Sequence, residues 1–493
     1  MVEKSSVLWP RIQTILAGIN IPSHAYRPAS YITSPHSKMQ DLLAALPPPT
    51  TTTPTPFGHP LRGHFPFPST WKNLNHGSFG THPTPINLLL QHYHLTSQLR
   101  PDPFLRYEFL PPLNASRAAL STLLNAPAEA IVLVPNATTG INTVLRAIRW
   151  EEGDTIVYFD SIYGACGKTV EYVCATTAAV SHVIRLEFQH RMRASEIVAA
   201  FREAVAAVAA QGGRVKLAVF DTVVSMPGLR MPFESLVTAC REMGVLSCID
   251  GAHGVGHVAL DLSALDPDFL VSNCHKWLFT PRGCAVLYVP TRNQGLVESS
   301  LPTSHGYTPP GVAIKNPLPP GEEGKSAWVR MFEFVGTGEP APMLCVAEAL
   351  EWREKVCGGE KAIREYCENV VFRGARIMAA AFGTDVLELL DDEGMVMRCC
   401  MENVRLPMVM EVEGVEPGKG LVVVNPEDAA KVANWMQEKM VEEFDTFIPV
   451  FEYGGKWYVR VSGQVYLEES DFVFAGEVVG GLVERVGRGE YRA

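Results

Sequence analysis

The chain has 493 residues, of which 47% are hydrophobic, and its formal net charge is −11. This length predicts at least two lobes, because a single hydrophobic core stops growing well below it. The negative charge disfavours nucleic acid as a partner, since phosphate binding needs a basic face. No apolar run reaches about 18 residues, so we expect no membrane span.

The 11 cysteines are scattered through apolar segments, with no CxxC pair and no zinc-type Cys/His cluster. Such a pattern is typical of reduced thiols in a cytosolic protein, although a mitochondrial presequence stays open. His253 and His257 have the spacing of two metal ligands, but no carboxylate motif of the HExxH type accompanies them. We therefore expect a cytoplasmic protein without a metal.

The N-terminal part predicts an arm followed by a ligand-binding loop. Residues 1–56 form the expected poorly ordered arm, because a proline run and a threonine run at 45–60 cannot bury a core. The segment 57–85 contains the polar, glycine-rich stretch NLNHGSFGTHP, which suits a loop that approaches a ligand closely. Its candidate substrate-binding residues are Asn75, His76 and Gly77.

Residues 86–338 alternate continuous apolar runs with helical stretches, and we expect the large domain here. This pattern predicts an α/β fold with a mostly parallel central sheet, buried on both faces and flanked by helices. In such a sheet, ligands bind beyond the carboxyl ends of the strands. The predicted strands are 131–135, 155–160, 183–188, 215–221, 245–250 and 269–273.

Two of these strand ends carry the residues that an aldehyde cofactor requires. Asp250 ends one strand, His253 follows it, and Lys276 lies just past the next strand. Such a cofactor needs a lysine to hold it as a Schiff base and a carboxylate to keep its ring nitrogen protonated. His253 is placed to hydrogen-bond the ring's phenolic oxygen or Asp250. Ser272 and His275 are close enough in sequence to Lys276 to help hold a phosphate.

Two loops after other strands add candidates. NATTGIN at 136–142 opens a helix, whose first N–H groups and hydroxyls can cradle a phosphate, although an ordinary threonine N-cap stays open. Tyr163 in YGACG can stack on a cofactor ring or donate a proton as the phenol, although a tyrosine that plugs the loop stays open. The candidate phosphate contacts are Ala137, Thr138 and Thr139.

Residues 339–493 change to a pattern of long helices and short strands, which predicts a smaller α+β domain. Arg460 lies on one of these strands, and a guanidinium can grip a substrate carboxylate with two hydrogen bonds. The predicted helices are 342–356, 360–382 and 427–443, and the predicted strands are 395–403 and 456–463.

Six segments carry a resemblance to a known family: FGHPLRGHFPFPSTWKNLNHGSFG, NATTGINTVLRAI, DGAHGVGH, NCHKWLFTPRGCAVLYV, FEFVGTGEPAP and VRVSGQVYLEE. From about residue 57 to its C-terminal end, the chain resembles the class V aminotransferases, a branch of the fold-type I pyridoxal 5'-phosphate (PLP) enzymes. Within that family it is similar to the isopenicillin N epimerase-like group, and there to the fungal hercynylcysteine sulfoxide lyases.

The resemblance implies the PLP-dependent transferase fold, PLP as the cofactor and a homodimer. It implies Lys276 as the Schiff-base lysine, Asp250 on the pyridine nitrogen and Arg460 on the substrate carboxylate. It further implies contacts to the cofactor from Thr138, Thr139 and His275, and contacts to the neighbouring subunit's phosphate from Gly336 and Thr337.

The implied reaction is PLP-dependent cleavage of a C–S bond in a cysteine-derived small molecule. We expect a sulfoxide conjugate, hercynylcysteine sulfoxide, which would give ergothioneine, pyruvate and ammonia, with Tyr163 as the candidate proton donor to the leaving sulfur. Epimerisation, desulfuration and transamination on the same scaffold stay open. A non-catalytic binding protein with a decayed site is disfavoured, because the residues expected for the chemistry are all present.

Overall fold

The computed structural model describes residues 54–309, 312, 325–411 and 420–492. They belong to one compact unit, Thr51–Ala493, and the predicted N-terminal arm lies almost wholly outside them. None of the helices in these ranges is both long and apolar enough to span a bilayer. The predicted domain boundaries at 57–85, 86–338 and 339–493 stay predictions.

A seven-stranded sheet forms the centre of the larger part, in the order β1-β7-β6-β5-β4-β2-β3. Its five neighbouring strands from β6 to β3 run parallel, and β7 runs antiparallel to both of its neighbours. The predicted mostly parallel sheet is therefore confirmed. The strands are β1 (Ile131–Val134), β2 (Asp154–Phe159), β3 (Val180–Ile184), β4 (Arg214–Asp221), β5 (Leu246–Asp250), β6 (Phe269–Asn273) and β7 (Ala285–Tyr288).

The β3 strand runs Val180–Ile184 and shares only residues 183 and 184 with the strand predicted at 183–188, so that prediction is largely wrong. Beyond Ile184 the backbone finds partners outside the sheet. The N–H of Leu186 donates to the Asp160 carboxylate, and the N–H of Phe188 donates to the Tyr453 hydroxyl. As the edge strand, β3 has no second neighbour to hold these residues in register.

Helices cover the sheet and fix the positions of its strand ends. The helix after β1 packs so closely on β6 that a Cβ added at Gly140 would lie 2.4 Å from Cγ1 of Val271. This contact sets the start of that helix beside the carboxyl end of β6. The longer helices of this part are Thr84–Leu99, Leu110–Leu124, Ala137–Ala147, Gly164–Thr176, Ala194–Ala210, Phe233–Met243 and Val346–Cys357.

A smaller five-stranded sheet follows, with the path β10-β9-β12-β11 and with β8 paired to β9. Its helices match the predicted ones closely, and a further long helix follows the last strand. The strands are β8 (Val386–Leu387), β9 (Met401–Met410), β10 (Val422–Val424), β11 (Val450–Tyr453) and β12 (Lys456–Ser462). The helices are Glu360–Phe382, Ala429–Phe444 and Glu469–Gly487.

The β9 strand begins at Met401, so the strand predicted at 395–403 is largely wrong. Two tertiary contacts explain the shift. Asp391 accepts a hydrogen bond from the N–H of Met395, which holds a turn, and the N–H of Cys400 donates to Nε2 of His257 in the larger part. These N–H groups are therefore not available to a sheet ladder.

The two sheets meet beside the carboxyl ends of β4, β5 and β6. The side chain of Asn403 in β9 binds the backbone N–H and C=O of Gly228, at 2.6 and 3.1 Å. The loop before residue 80 enters the same region, since the N–H of Ser462 in β12 donates to the carbonyl of Leu74. A site at these strand ends is thus walled by both sheets and by this loop.

Candidate active site

Lys276 lies on the short helix Cys274–Trp277, directly after β6, and its Nζ is 2.9 Å from Nε2 of His253. The other ring nitrogen of His253 accepts a hydrogen bond from the Trp277 indole at 3.2 Å. A neutral imidazole carries one donor and one acceptor, so Nε2 donates and Nζ of Lys276 accepts. Burial, followed by the positive charge of Arg460, lowers the pKa of Lys276 to about 8. The lysine is therefore prepared to act as a neutral amine.

Asp250 ends β5 and is buried. Its Oδ1 accepts from the N–H of Ala252 at 3.0 Å, and its Oδ2 accepts from the thiol of Cys166 at 3.2 Å. Both donors are neutral, and a buried carboxylate is stabilised further by a cation. The protonated pyridine nitrogen of PLP is such a cation, so this carboxylate fits the cofactor.

A second carboxyl lies beside it. Asp221 ends β4 and is paired in register with Asp250 across the parallel strands. Burial raises the pKa of both groups, and the charge of Asp250 raises the pKa of Asp221 further, well above its usual value. Two adjacent buried carboxyls cannot both ionise without cost, and Asp221, whose pKa is raised well above its usual value, takes up a proton more readily than Asp250.

Arg460 lies on β12, in the smaller sheet, and is buried. Its Nη2 donates to Oδ1 of Asn75 and to the hydroxyl of Ser78, both at 2.7 Å, and its Nη1 donates to the carbonyl of Ser225. Every one of these acceptors is neutral, and Nε is buried without a partner in the described ranges. Burial lowers the pKa of Arg460 to about 10. A buried guanidinium with only neutral acceptors is a site for an anion.

The loop that supplies Asn75 places its next two residues differently from the prediction. His76 uses both ring nitrogens, one with the Tyr466 hydroxyl at 2.9 Å and the other with the backbone carbonyl of Lys276. Burial lowers the pKa of His76 to about 3. This histidine therefore holds the backbone of Lys276, and the expected substrate contact is corrected to a supporting one.

Gly77 is also a packing residue. Its N–H donates to Oγ of Ser462 at 3.2 Å, and a Cβ at this position would lie 2.8 Å from Sδ of Met401. Three residues later, Gly80 has φ +65, and a Cβ there would overlap the carbonyl of His275. Of the three predicted substrate contacts, only Asn75 reaches the guanidinium, and the glycines allow the loop to pack closely on Met401 and on the backbone of His275.

The helix Ala137–Ala147 begins just after β1, and some of the hydrogen-bond donors in its first turn already have acceptors in the protein. The N–H of Ala137 donates to Oδ1 of Asn273 at 2.8 Å, and Asn136 caps the N–H and hydroxyl of Thr139 at 2.8 and 3.0 Å. Neither donor of Thr138 has an acceptor among the described residues, so Thr138 is the open phosphate candidate of this turn. The N-cap alternative for a threonine is not what forms, because the cap is Asn136.

Ser272 and Asn273 point to opposite faces of β6, as successive strand residues do. The Ser272 hydroxyl donates to the carbonyl of Gly251 and accepts from the N–H of Val255 at 2.8 Å. It therefore braces the turn between Asp250 and the following residues. Asn273 instead meets the helix start, where its Oδ1 accepts from the N–H of Ala137, and the expected phosphate contact of Ser272 stays a prediction.

His275 keeps one ring nitrogen for a ligand. Its Nδ1 pairs with the carbonyl of Cys284 at 2.9 Å, and burial lowers its pKa to about 4. Of the i, i+4 partner of His253, one ring nitrogen is engaged, since Nε2 of His257 accepts from the N–H of Cys400 at 2.7 Å. In the described ranges, no group of three or more His, Cys, Asp or Glu residues has metal-binding geometry.

Tyr163 immediately precedes the helix Gly164–Thr176 and is 50% exposed. A half-exposed ring does not plug its loop, so that alternative is disfavoured. Cys166, one turn further along, reaches Asp250, which sets this helix start beside the cofactor candidates. Stacking on a ring and proton donation both stay open for Tyr163.

Gly336 and Thr337 lie on the surface, exposed. Gly336 has φ +80, and no atom lies within 4 Å of a Cβ built there. It lines a cavity of about 160 Å³ together with Pro135, which precedes Asn136, the N-cap of the helix Ala137–Ala147. These two residues are accessible to a second subunit, and their expected contact to its phosphate stays a prediction.

Several residues of the site were not among the sequence candidates. Asp221 was detectable, because it ends β4 as Asp250 ends β5. The others are Cys166, Ser78, Ser225, Asn273 and Tyr466, and only the folded chain shows which groups they contact.

Comparison with known proteins gives consistent matches. The Aminotransferase class-V family model matches residues 105–365. The chain is 35% identical to the L-cysteine desulfhydrase-like protein lolT1 of Epichloe uncinata, over 87% of this chain and 97% of that protein. It is 30% identical to hercynylcysteine sulfoxide lyase of Schizosaccharomyces pombe, over 86% of this chain and 97% of the relative.

Two further matches extend the range. Isopenicillin N epimerase of Streptomyces clavuligerus is 30% identical, over 66% of this chain and 79% of that protein. Among solved structures, the cystine C–S lyase C-DES in complex with cysteine persulfide superposes with a TM-score of 0.64. It is 16% identical and covers 84% of this chain and 98% of its own, which is a likeness of fold.

Proposed function

Since the chain belongs to the class-V aminotransferase family of PLP enzymes, we propose that it cleaves the C–S bond of a cysteine-derived amino acid. One observation carries the proposal: Lys276, whose pKa is lowered to about 8, interacts electrostatically with both the buried Asp250 and the buried Arg460. PLP supplies the electron sink that absorbs charge when a bond to the substrate's Cα is broken.

The cofactor would be held by groups from three strand ends. Lys276 would anchor its aldehyde, Asp250 would pair with its ring nitrogen, and His253 would hydrogen-bond its phenolic oxygen. Thr138 and His275 would take the phosphate, since each keeps a polar group free of protein partners in the part of the chain that the structure describes. A dianionic phosphate next to His275 favours the protonated imidazole, which can then donate from both nitrogens.

The substrate carboxylate would bind Arg460. Asn75, Ser78 and Ser225 fix the plane of the guanidinium through neutral acceptors, and none of them neutralises its charge. The guanidinium can therefore offer a charge-assisted grip to an incoming carboxylate. This arrangement would hold an α-amino acid by its carboxylate and leave its amine free to react near Lys276.

The proton transfers would be carried by two side chains. Lys276, with its pKa lowered to about 8, has a larger neutral fraction at physiological pH than an ordinary lysine and would take the proton from Cα. Tyr163, half-exposed at the mouth of the same region, would give a proton to the departing sulfur. The burial of Asp250, His253 and Arg460 keeps water from the reacting atoms.

We propose a cysteine sulfoxide conjugate as the substrate, with hercynylcysteine sulfoxide as the specific candidate. Cleavage with one water would release pyruvate, ammonia and the sulfenic acid of the sulfur fragment, and a thiol reductant would convert that acid to ergothioneine. The Schizosaccharomyces pombe relative supports this choice. Free L-cysteine is the second candidate, because lolT1 and several other relatives are named as L-cysteine desulfhydrases or desulfhydrase-like proteins. Its products would be sulfide, pyruvate and ammonia.

The test is to incubate the PLP-loaded protein separately with hercynylcysteine sulfoxide and with L-cysteine. Pyruvate is followed by coupled reduction, and sulfide and ergothioneine are measured in the same samples. We expect pyruvate in equal amount to the sulfur product, with a higher kcat/KM for the sulfoxide. Turnover of L-cysteine alone would reject the conjugate, and inverted stereochemistry without pyruvate would reject the lyase reaction.

We also propose that the enzyme is a cytoplasmic homodimer. The helix Thr84–Leu99 exposes Leu88, Leu95 and Leu99, which share one helical face. Such a face and the exposed Gly336–Thr337 segment are suited to a second copy. All 11 cysteines are free, and only Cys174 is more than marginally accessible, as expected in a reducing compartment. Light scattering of the purified protein tests the mass.

A further inference from the structure

The side chain of Cys166 contacts the carboxylate that would face the cofactor. Its Sγ lies 3.2 Å from Oδ2 of Asp250, and the cysteine is 1% exposed. The backbone of Cys166 is fixed in turn, because its N–H donates to the carbonyl of Tyr163 at 2.8 Å. The backbone that carries the thiol is therefore held beside Asp250 by the first turn of its helix.

In this contact the thiol of Cys166 can act only as a hydrogen-bond donor. Burial and the nearby carboxylate of Asp250 raise the pKa of the Cys166 thiol far above its usual value, so the group stays protonated. A buried thiol of this kind neither attacks nor binds a metal, but it can donate one weak hydrogen bond. The acceptor in reach is Oδ2 of Asp250, while Oδ1 is held by the N–H of Ala252.

The charged and titratable groups around Asp250 and Cys166 determine how much the thiol donor affects the ionisation of Asp250. Asp221 on β4, Cys248 on β5 and Lys276 after β6 all act electrostatically on this carboxylate or thiol. Burial raises the pKa of Asp250, and the hydrogen bonds from Ala252 and Cys166 oppose that rise. The thiol thus favours the ionised carboxylate at a position where burial disfavours it.

We propose that Cys166 is a positioning residue, whose thiol orients the Asp250 carboxylate and keeps it ionised for the ring nitrogen of PLP. This inference rests on the proposed role of Asp250. Without the thiol, the proton shared between the ring nitrogen and Asp250 would move toward the carboxylate, and the electron sink would weaken. Serine, a small hydroxyl donor, should substitute for the thiol, and alanine should not.

The test uses the full-length chain stripped of cofactor, as wild type, Cys166→Ala, Cys166→Ser and Cys240→Ala. Cys240 is equally buried, in the helix Phe233–Met243, and serves as the matched control. Each protein is titrated with PLP and with the 1-deaza analogue, in which carbon replaces the ring nitrogen. Binding is read from the quenching of intrinsic tryptophan fluorescence.

We expect Cys166→Ala to bind PLP roughly threefold to tenfold more weakly, the effect of losing a weak donor to a charged group. Its affinity for the deaza analogue should match that of wild type, because that analogue cannot use Asp250. Cys166→Ser should restore PLP binding, and Cys240→Ala should bind both ligands as wild type does. In the loaded enzyme, Cys166→Ala should lower kcat with KM unchanged.

Two results would overturn the inference. Equal PLP affinity in wild type and Cys166→Ala would show that the thiol only packs. Equal losses for PLP and the deaza analogue would show a general distortion that does not act through the ring nitrogen. Failure of the wild-type chain to bind PLP at all would instead reject the proposed cofactor site, so the two failures are distinguishable.

Discussion

The cofactor side and the substrate side of the site are built in opposite ways. Asp250, His253 and Lys276 come from 27 consecutive residues, Asp250–Lys276, in which two neighbouring strands end at one edge of the sheet. Arg460 instead meets Asn75 and Ser225, which are 385 and 235 residues away in sequence. The first half is a local motif, and the second forms only when the whole chain has folded.

The two sides also carry opposite electrostatic deficits. Asp250 is a buried anion with neutral donors, and Arg460 is a buried cation with neutral acceptors. In the proposed function each is completed by a ligand of the other sign, a protonated ring nitrogen on one side and a carboxylate on the other. Lys276 lies in the field of both, and the charge of Arg460 lowers its pKa while that of Asp250 raises it. The comparison predicts that damage to each side leaves a different kinetic signature.

We expect the largest loss of kcat when the amine of Lys276, which lies between the two sides, is removed. Lys276→Ala removes both the anchoring amine and the base, so kcat for pyruvate release should fall by roughly 10⁴-fold or more. Lys168→Ala is the matched control, because Lys168 is exposed and pairs only with Glu171 among the described residues. A Lys276→Ala enzyme within tenfold of wild type would assign the base elsewhere.

The next effect separates the two adjacent carboxyls. Asp250→Asn removes the charge that keeps the ring nitrogen protonated and should lower kcat by about 10²–10³-fold, the range for a preorganised charge. Asp221→Asn should change kcat only slightly, because the raised pKa of Asp221 favours its neutral acid, which asparagine resembles. Steady-state rates of the two variants decide this, and equal losses would contradict the assignment of the ionised carboxylate to Asp250.

A smaller effect is expected on the substrate side. In Arg460→Ala, the substrate carboxylate would be buried without the cation that binds it, and the three neutral acceptors of the guanidinium would lose their donor. We therefore expect kcat/KM to fall by roughly two orders of magnitude. The affinity of the stripped protein for PLP should be unchanged, in contrast to Asp250→Asn. Arg460→Lys, which keeps the charge but not the two-pronged geometry, should recover only part of kcat/KM. A parallel loss of PLP affinity would break the separation of the two sides.

The smallest expected effect concerns stability and pH in the cofactor-free protein. The pKa of Lys276 is about 8 in the folded chain against 10.5 unfolded, so between these values the unfolded state binds more protons. The free energy of unfolding therefore rises with pH across that window through this residue.

The variant Lys276→Met lacks this titrating amine and serves as the reference. The free energy of unfolding of wild type minus that of the variant, measured with urea, should shift in favour of wild type from pH 8 to 9.5. A pH-independent difference would reject the lowered pKa of Lys276.

The fold was largely predictable, because continuous apolar runs mark the buried parallel strands. The errors fall where a distant side chain takes a backbone donor. Asp160 takes the N–H of Leu186, so β3 ends early, and His257 takes that of Cys400, so β9 begins late. No local pattern encodes such long-range hydrogen bonds.

The candidate site divides in the same way. The strand-end rule locates Asp250 and Lys276, and the same rule, applied one strand further, locates Asp221. The position of a residue in a motif does not determine the direction of its side chain. His76 and Ser272 were therefore expected to contact substrate and phosphate, whereas in the structure they hydrogen-bond the backbone carbonyls of Lys276 and Gly251. Side-chain direction depends on packing partners that only the folded chain brings together.

The most direct test of the account is to reduce the PLP-loaded protein with borohydride and map the modified peptide by mass spectrometry. We predict one phosphopyridoxyl group per chain, on Lys276, and its absence from the Asp250–Arg282 peptide region when Lys276 is replaced by alanine. A modification on another lysine, or a protein that takes up no cofactor, would contradict the claim that Lys276 joins the two halves of this site.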